Sequence, residues 1–345
     1  MPQRRPRKRR VALAVVVSSL ILSLGGAEIG LRLLARRPWK YAETEPGEAA
    51  LHQPDPTLGW VNRPGHHVRR LPNGGGTIEV TILADGSRTT GSAAAGDGES
   101  VVLVGCSVTA GYGLTDDDTF AWKLQQLHPE LRVVNFGTAA YGTFQSLLRM
   151  ERTVAESRPS LILYGFITQH EARNVATYDW LRGLAQNSHR GHVAPPYVTL
   201  ATDGGLTRHP PVSFAVWPLA QQLATVRVAD DAYMHLLTYG RDAEGPEATK
   251  RLLLEMARFA RRHATPFAVV FLLAQDDDKK KEYTTYFESH EIPYLDCVEP
   301  FSDDNKIPGE GHPNGRVNSL WARCISDRLP QVGSGGATNV TTGRR

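Results

Sequence analysis

Residues 101–113 read Val101-Val102-Leu103-Val104-Gly105-Cys106-Ser107-Val108-Thr109-Ala110-Gly111-Tyr112-Gly113. A short apolar run that stops at a glycine is the mark of a buried strand leading into a turn. The same mark returns at Leu131–Phe136, Leu161–Phe166, Phe267–Leu273 and Ile292–Cys297. Helical patterns lie between these runs. Asp117–Leu127 carries helical spacing through Phe120, Leu124 and Leu127, and Gln145–Ser157 reads as a helix. Pro246–His263 presents an apolar stripe of Leu252, Leu253, Met256, Phe259 and Ala260, and Asn318–Leu329 closes the series. Strands alternating with helices predict an α/β fold, a three-layer sandwich with a central parallel sheet, over residues 100–329.

The chain has 345 residues, 41% hydrophobic and 22% charged, which excludes a disordered or collagen-like chain. Its net charge of +3 misleads. Eight of the 39 Lys and Arg lie in Arg4–Arg10 and Arg344–Arg345, which leaves 31 against 36 Asp and Glu. A mildly acidic body argues against a nucleic-acid partner. The basic segment 1–10 precedes the apolar run Val11–Ala27, which continues more weakly to Leu34. A run of about 20 apolar residues can span a bilayer, and the cations before it should remain cytoplasmic. Residues 11–35 are therefore expected to anchor the chain in the cell membrane by a single pass, with its bulk extracytoplasmic. The alternative is a cleaved signal peptide, with Gly25-Gly26-Ala27 near the cut.

Residues 36–58, with Pro38, Pro46, Pro54 and Pro56, read as a linker. Within 59–99, Gly59-Trp60-Val61 and Thr77–Leu83 look like strands separated by a turn at Gly74-Gly75-Gly76, which predicts a small β element. Residues 175–215 fit no period, Phe214–Leu237 reads as helix, and 175–240 is expected to form a lid. Its Trp180, Tyr197, Trp217 and Tyr233 could stack on sugars or simply pack. The tail 330–345 reads as disordered. An exported domain meets an oxidising compartment, so Cys297, ending the last strand, and Cys324, on the last helix, are expected to pair. Cys106 is left single. No cysteine pattern has metal-ligand spacing.

Parallel α/β sheets place their sites at the carboxyl ends of strands. Ser107 sits in a glycine-flanked turn between strand and helix, which exposes a hydroxyl and aims backbone N–H groups outward. The plain alternative is a capping serine in a glycine-rich turn. After the second strand, Gly137 could offer another N–H or merely turn the chain. After the third come Thr168, Gln169, His170, Glu171, Arg173 and Asn174, a row of potential donors or a polar cap. Near the carboxyl end, Glu310-Gly311-His312-Pro313-Asn314 puts a carboxylate two residues before a histidine.

Together these four segments resemble the SGNH/GDSL hydrolase superfamily. Gly105, Ser107, Gly111 and Gly113 match its first block, Gly137 its second-block glycine, and His312, Pro313 and Asn314 its last block. The segment with Gly59-Trp60-Val61, Glu79-Val80-Thr81-Ile82 and Gly86-Ser87-Arg88, and the anchor ending in Glu28, Leu31 and Arg32, look like a membrane-anchored bacterial subgroup. The resemblance implies a flavodoxin-like sheet and an extracytoplasmic serine esterase acting on an O-acylated glycan or other envelope ester. Ser107 would be the nucleophile, His312 the base and Glu310 its orienting acid. Ser107, Gly137 and Gln169 would form the oxyanion hole. No metal and no organic cofactor is implied. The sequence also departs from the family. Cys106 replaces the usual Asp, Gln169 and His170 stand where Asn and Asp are usual, and Glu310 replaces an Asp three residues before the histidine. The alternatives on the same fold are a catalytically impaired glycan-binding or assembly protein and an O-acyltransferase.

Overall fold

The computed structural model describes residues 5–40, 51–71, 76–91, 99–187 and 192–329. In chain order, helix α1 (Arg5–Leu33) precedes four short strands, β1 (His52–Asp55), β2 (Gly59–Asn62), β3 (Gly65–Arg70) and β4 (Thr77–Ile82). Then come β5 (Ser100–Gly105), α2 (Ser107–Ala110), α3 (Phe120–Leu127), β6 (Arg132–Asn135), α4 (Thr143–Glu156), β7 (Leu161–Ile167), α5 (His170–Asn174) and α6 (Tyr178–Asn187). Four short strands follow: β8 (His192–Val193), β9 (Tyr197–Leu200), β10 (Leu206–His209) and β11 (Phe214–Ala215). The chain continues through α7 (Ala224–Leu237), α8 (Arg241–Arg262), β12 (Phe267–Leu273), α9 (Asp277–Ser289), β13 (Tyr294–Asp296) and α10 (Gly315–Ser326).

The chain divides into two compact units. The larger comprises residues 44–180, 194–213 and 240–345. Its centre is a five-stranded sheet, all parallel, in the order β13-β12-β7-β5-β6. This is the doubly wound, flavodoxin-like order, and its switch point falls between β5 and β7. Because side chains alternate along a strand, each strand feeds both faces. Val102, Val104, Ile162, Tyr164, Phe166, Val269 and Phe271 pack with α4, α8 and α9. Val101, Leu103, Leu161, Leu163, Ala268, Val270 and Leu272 pack with α3 and α10. Two apolar faces explain why these strands read as unbroken apolar runs. Each buried Val, Leu or Phe contributes roughly 1.5–3 kcal/mol.

Both strands expected in the small β element are present, at Gly59–Asn62 and Thr77–Ile82, and each has its own partner. The first pairs with His52–Asp55 and the second with Gly65–Arg70, both antiparallel. Pairing at residues 52–55 lies within the stretch read as linker. The Asp55 carboxylate accepts the Thr57 and Leu58 N–H groups and closes the first turn. Gly74 and Gly75 lie outside the described residues. After β4 the chain joins the edge of the main sheet, where the Arg88 N–H donates to the Asn135 carbonyl at 2.8 Å.

The smaller unit comprises residues 1–43, 181–193 and 214–239. Within α1, Arg9–Leu33 has a mean hydropathy of 2.0 and is long and apolar enough to cross a membrane. It is the only such helix among the described residues. The stretch read as a lid is therefore divided, since 194–213 belongs to the larger unit. Residues 1–4, 41–50 and the tail 330–345 lie outside the described residues. Cys297 and Cys324 form a disulfide, Cα to Cα 5.9 Å, and Cys106 is a buried free thiol.

Candidate active site

Ser107 is the first residue of α2, directly after β5, so its N–H has no partner within the helix. The turn is fitted tightly. Gly137 comes so close that a Cβ there would lie 2.3 Å from the Ala110 nitrogen. Asn135, at the end of β6 and fully buried, fastens the two: its Nδ2 donates to the Thr109 carbonyl and its Oδ1 accepts the Gly137 N–H. Ser107 itself is 6% exposed.

His312 reaches Ser107 from 205 residues away, its Nε2 standing 2.9 Å from the Ser107 Oγ. Its Nδ1 is 2.7 Å from the Glu310 Oε1, and its backbone N–H donates to the Glu310 Oε2 at 2.9 Å. The network sets the tautomer: Nδ1–H donates to the carboxylate, which leaves the Nε2 lone pair for the serine hydroxyl. The His312 loop is folded on itself, the Ile307 N–H donating to the His312 carbonyl at 2.7 Å. It is rooted in α10, whose first turn is capped by the Asn314 side chain. Gly113, at φ +81°, lets the acid approach, because a Cβ there would lie 2.9 Å from the Glu310 Oε2. Tyr112 covers the imidazole, ring centroids 5.0 Å apart, and its hydroxyl accepts from Arg69 at 2.8 Å.

The third segment contributes less than its row of polar residues suggests. Gln169 is exposed, and its side chain makes no hydrogen bond among the described residues. Thr168 is buried, and its Oγ1 accepts the Gln275 N–H. His170 turns inward, its Nδ1 2.6 Å from the Tyr164 hydroxyl, and burial holds its imidazole well below the usual histidine range. Arg173 donates to the Tyr141 carbonyl. Asn174 is spent on Thr143, Thr249 and the Phe144 N–H. Among the described residues the Gln169 amide is thus a side-chain donor of this segment without a hydrogen-bond partner, and the buried His170 Nε2 has none either. Gly137, by contrast, already donates to Asn135, so its N–H must share that bond to serve an oxyanion.

In the sequence, Arg88 belongs only to the upstream Gly86-Ser87-Arg88 resemblance, which gives it no role in the site. It is 3% exposed, and its guanidinium donates to the Ala110, Gly111 and Leu114 carbonyls and to the Asp116 carboxylate. One side chain thus holds the whole loop that follows Ser107. Only a lone arginine after an alternating strand marks it in the sequence. Trp60, Asn62 and Tyr141 tie the β element to the Gly137–Tyr141 loop: Trp60 donates to the Ala139 carbonyl, Asn62 to the Gly137 carbonyl and Tyr141 to the Trp60 carbonyl. A cavity of about 30 Å³, room for one water, lies among His52, Arg69, Tyr112 and Gly137. A larger groove of about 570 Å³ runs past Gly113, Leu114, Asp118, Lys306 and Ile307. Among the described residues no group of His, Cys, Asp and Glu is arranged to hold a metal.

The chain matches no protein-family model and no curated protein. It is similar in structure to a member of the lipolytic G-D-S-L family from Veillonella parvula DSM 2008, at 11% identity and a TM-score of 0.40, over 68% of this chain and 99% of that one. It is similar to the psychrotrophic esterase EstA from Pseudoalteromonas sp. at 12% identity and a TM-score of 0.40, over 68% and 97%. A third similar structure is an acetylxylan esterase from Geobacillus stearothermophilus, at 12% identity and a TM-score of 0.39, over 68% and 95%.

Proposed function

We propose that this chain is a membrane-anchored serine esterase of the SGNH/GDSL superfamily that hydrolyses O-acyl esters outside the cytoplasm. The observation that carries the reading is the continuous chain Ser107 Oγ, His312 Nε2, His312 Nδ1, Glu310 Oε1, with links of 2.9 and 2.7 Å. Such a relay has a defined use. Ser107 attacks the ester carbonyl while His312 takes its proton, and the imidazolium then protonates the leaving alcohol. The acyl-serine is hydrolysed by a water that His312 deprotonates in turn. Glu310 holds the tautomer and offsets the imidazolium charge. The Ser107 N–H and the Gln169 amide are the donors for the tetrahedral oxyanion, with Gly137 as a third through its shared bond. The groove of about 570 Å³ beside the His312 loop is of ligand size. The proposed substrate is an O-acylated glycan or other envelope ester, because α1 would hold the enzyme at the membrane surface.

The test is labelling of the full-length protein with a fluorophosphonate, alongside turnover of p-nitrophenyl esters and acetylated polysaccharides. Ser107→Ala should abolish both labelling and turnover, and His312→Ala should come close, since such groups act as a unit. A hydrolytic activity that survives Ser107→Ala would sink the assignment. A second reading, an assembly protein without turnover, is favoured by the Gly137 N–H already engaged with Asn135. It predicts glycan binding with neither labelling nor hydrolysis.

A further inference from the structure

Helix α7 faces the wrong way for a helix in water. Val228, Ala229, Ala232, Tyr233 and Leu236 stand at i, i+1, i+4, i+5 and i+8, which is one face, and all are exposed. The exposed His235, at i+7, borders that face beside Val228, and no Asp, Glu, Lys or Arg lies on it. Leu236 is 74% exposed. The inward side carries Ala224 and Met234 but also Asp230, whose carboxyl is pushed up by burial. Arg227 and Asp231 are half-buried and ion-paired with each other. A helix on a water-facing surface has the opposite arrangement. Trp217 and Leu219 extend the exposed apolar surface, Trp217 lying 5.4 Å from Tyr233, and Leu237, the last residue of the helix, and Tyr239 beyond it continue it.

The other observation is the joint that fixes this helix. The Glu28 carboxylate, near the end of α1, caps the first turn of α7: Oε1 accepts the Ala224 N–H, and Oε2 accepts the N–H and hydroxyl of Thr225. Arg32 bridges Glu28 and the Gln222 carbonyl. Arg227 donates to the Arg37 carbonyl, and the backbone N–H of the buried Trp39 donates to the Ala220 carbonyl. At 1.5 Å per residue, Glu28 stands about 26 Å along the helix from Val11, within about one turn of the outer boundary of a hydrocarbon core of about 30 Å. The joint therefore fastens the apolar helix at the level where the bilayer ends.

We propose that the outward face of α7, with Trp217, Leu219 and Tyr239, lies in the headgroup layer of the membrane that α1 crosses. Tyr and Trp rings suit that layer, with apolar bodies in the acyl region and polar edges in water. The exposed Arg36, Arg37 and Lys40 beside the joint complement anionic lipid phosphates. The smaller unit is then a two-point mount, one helix across the bilayer and one along it, which fixes the tilt of its own core. This rests on the reading of α1 as an uncleaved span.

The test uses the full-length chain in vesicles of phosphatidylcholine and phosphatidylglycerol, with bimane attached at Leu236→Cys and, separately, at Val228→Cys. Cys106 is buried and Cys297 and Cys324 are paired, so the label goes to the new thiol. A lipid bearing a doxyl group near its headgroup should quench more than half of the emission at either position. Iodide quenching should be at least ~3-fold weaker than for a free bimane–cysteine adduct. Full iodide quenching with no doxyl quenching, in protein that resists carbonate extraction, overturns the surface and leaves the span standing. Protection from both quenchers together with a Leu236→Cys cross-link between copies also overturns it, in favour of a dimer. Extraction by carbonate overturns the span, and the surface with it.

Discussion

Glu310 reaches the His312 Nδ1 from two positions away, where the superfamily that the sequence resembles has an aspartate three away. The extra methylene of glutamate makes up for the shorter spacing, and the 2.7 Å contact is the result. Reach rather than charge is then the property at stake. Glu310→Asp keeps the charge and should still lower kcat by ~10-fold or more, because a 1 Å misplacement is costly in a preorganised site. Wild-type kcat in that variant would separate the acid from the mechanism. Gln169 poses the same question in the opposite sense, being one methylene longer than the usual Asn. If its amide serves the oxyanion, Gln169→Ala should lower kcat by ~10²-fold with KM nearly unchanged. Gln169→Asn should match or exceed the wild type if the longer side chain overshoots. Steady-state kinetics on one soluble ester decides, and two inert variants would pass the role to the Ser107 N–H and Thr168.

At the scale of elements, the β segment before β5 is part of the site's frame. Its Arg88 backbone extends the sheet edge at Asn135, and its guanidinium gathers the carbonyls of the loop behind Ser107. Removing one partner of a buried ion pair leaves the other unpaired, a loss of about 3–5 kcal/mol. Arg88→Met should lower the urea midpoint accordingly and reduce kcat, since Tyr112 and Gly113 lie on the released loop. Arg88→Met with Asp116→Leu should recover part of the stability without recovering kcat, because the three carbonyls remain unheld. Equal recovery of both would reduce Arg88 to a packing residue.

At the scale of the molecule, two constraints act on the larger unit. The Cys297–Cys324 disulfide closes a loop of 27 residues between the last strand and α10, which carries the His312 loop on its amino end. Chain entropy puts its contribution near 3–4 kcal/mol. Cys297→Ala with Cys324→Ala should lower Tm by several degrees, and a reductant should do the same to the wild type but not to the variant. The second constraint is pH. Desolvation, helped by Arg69 and His67, holds His52 at about 4, and burial also lowers His170 well below the usual histidine range. Both folded values lie below the unfolded 6.5, so the native state binds fewer protons than the unfolded one in acid. Stability from these groups is complete above pH ~6.5 and falls below it, by up to ~1.4 kcal/mol per pH unit for each histidine. Urea midpoints from pH 7.5 to 5 should show that slope, and His52→Gln should flatten it.

The sequence alone determined the sheet. A parallel strand covered on both faces must be apolar at every position, and a run such as Val101–Val104 or Phe267–Leu273 is visible without any partner. It also marked Ser107, Glu310 and His312 as candidates and Cys297 with Cys324 as a pair, because short motifs and spacings are local. It missed α9, where Asp277–Ser289 opens with six charged residues in a row before Tyr283 and only Tyr283 and Phe287 are buried. It marked two strands of the β element and left their partners, His52–Asp55 and Gly65–Arg70, unread, since alternation identifies a strand and says nothing of its neighbour. Only the tertiary structure decided that Arg88 is spent on the Ser107 loop, that Asn174 and His170 are turned into the core, and that α7 shows its apolar face outward. Each of those depends on where residues far apart in the chain come together, and a linear pattern carries no such distances.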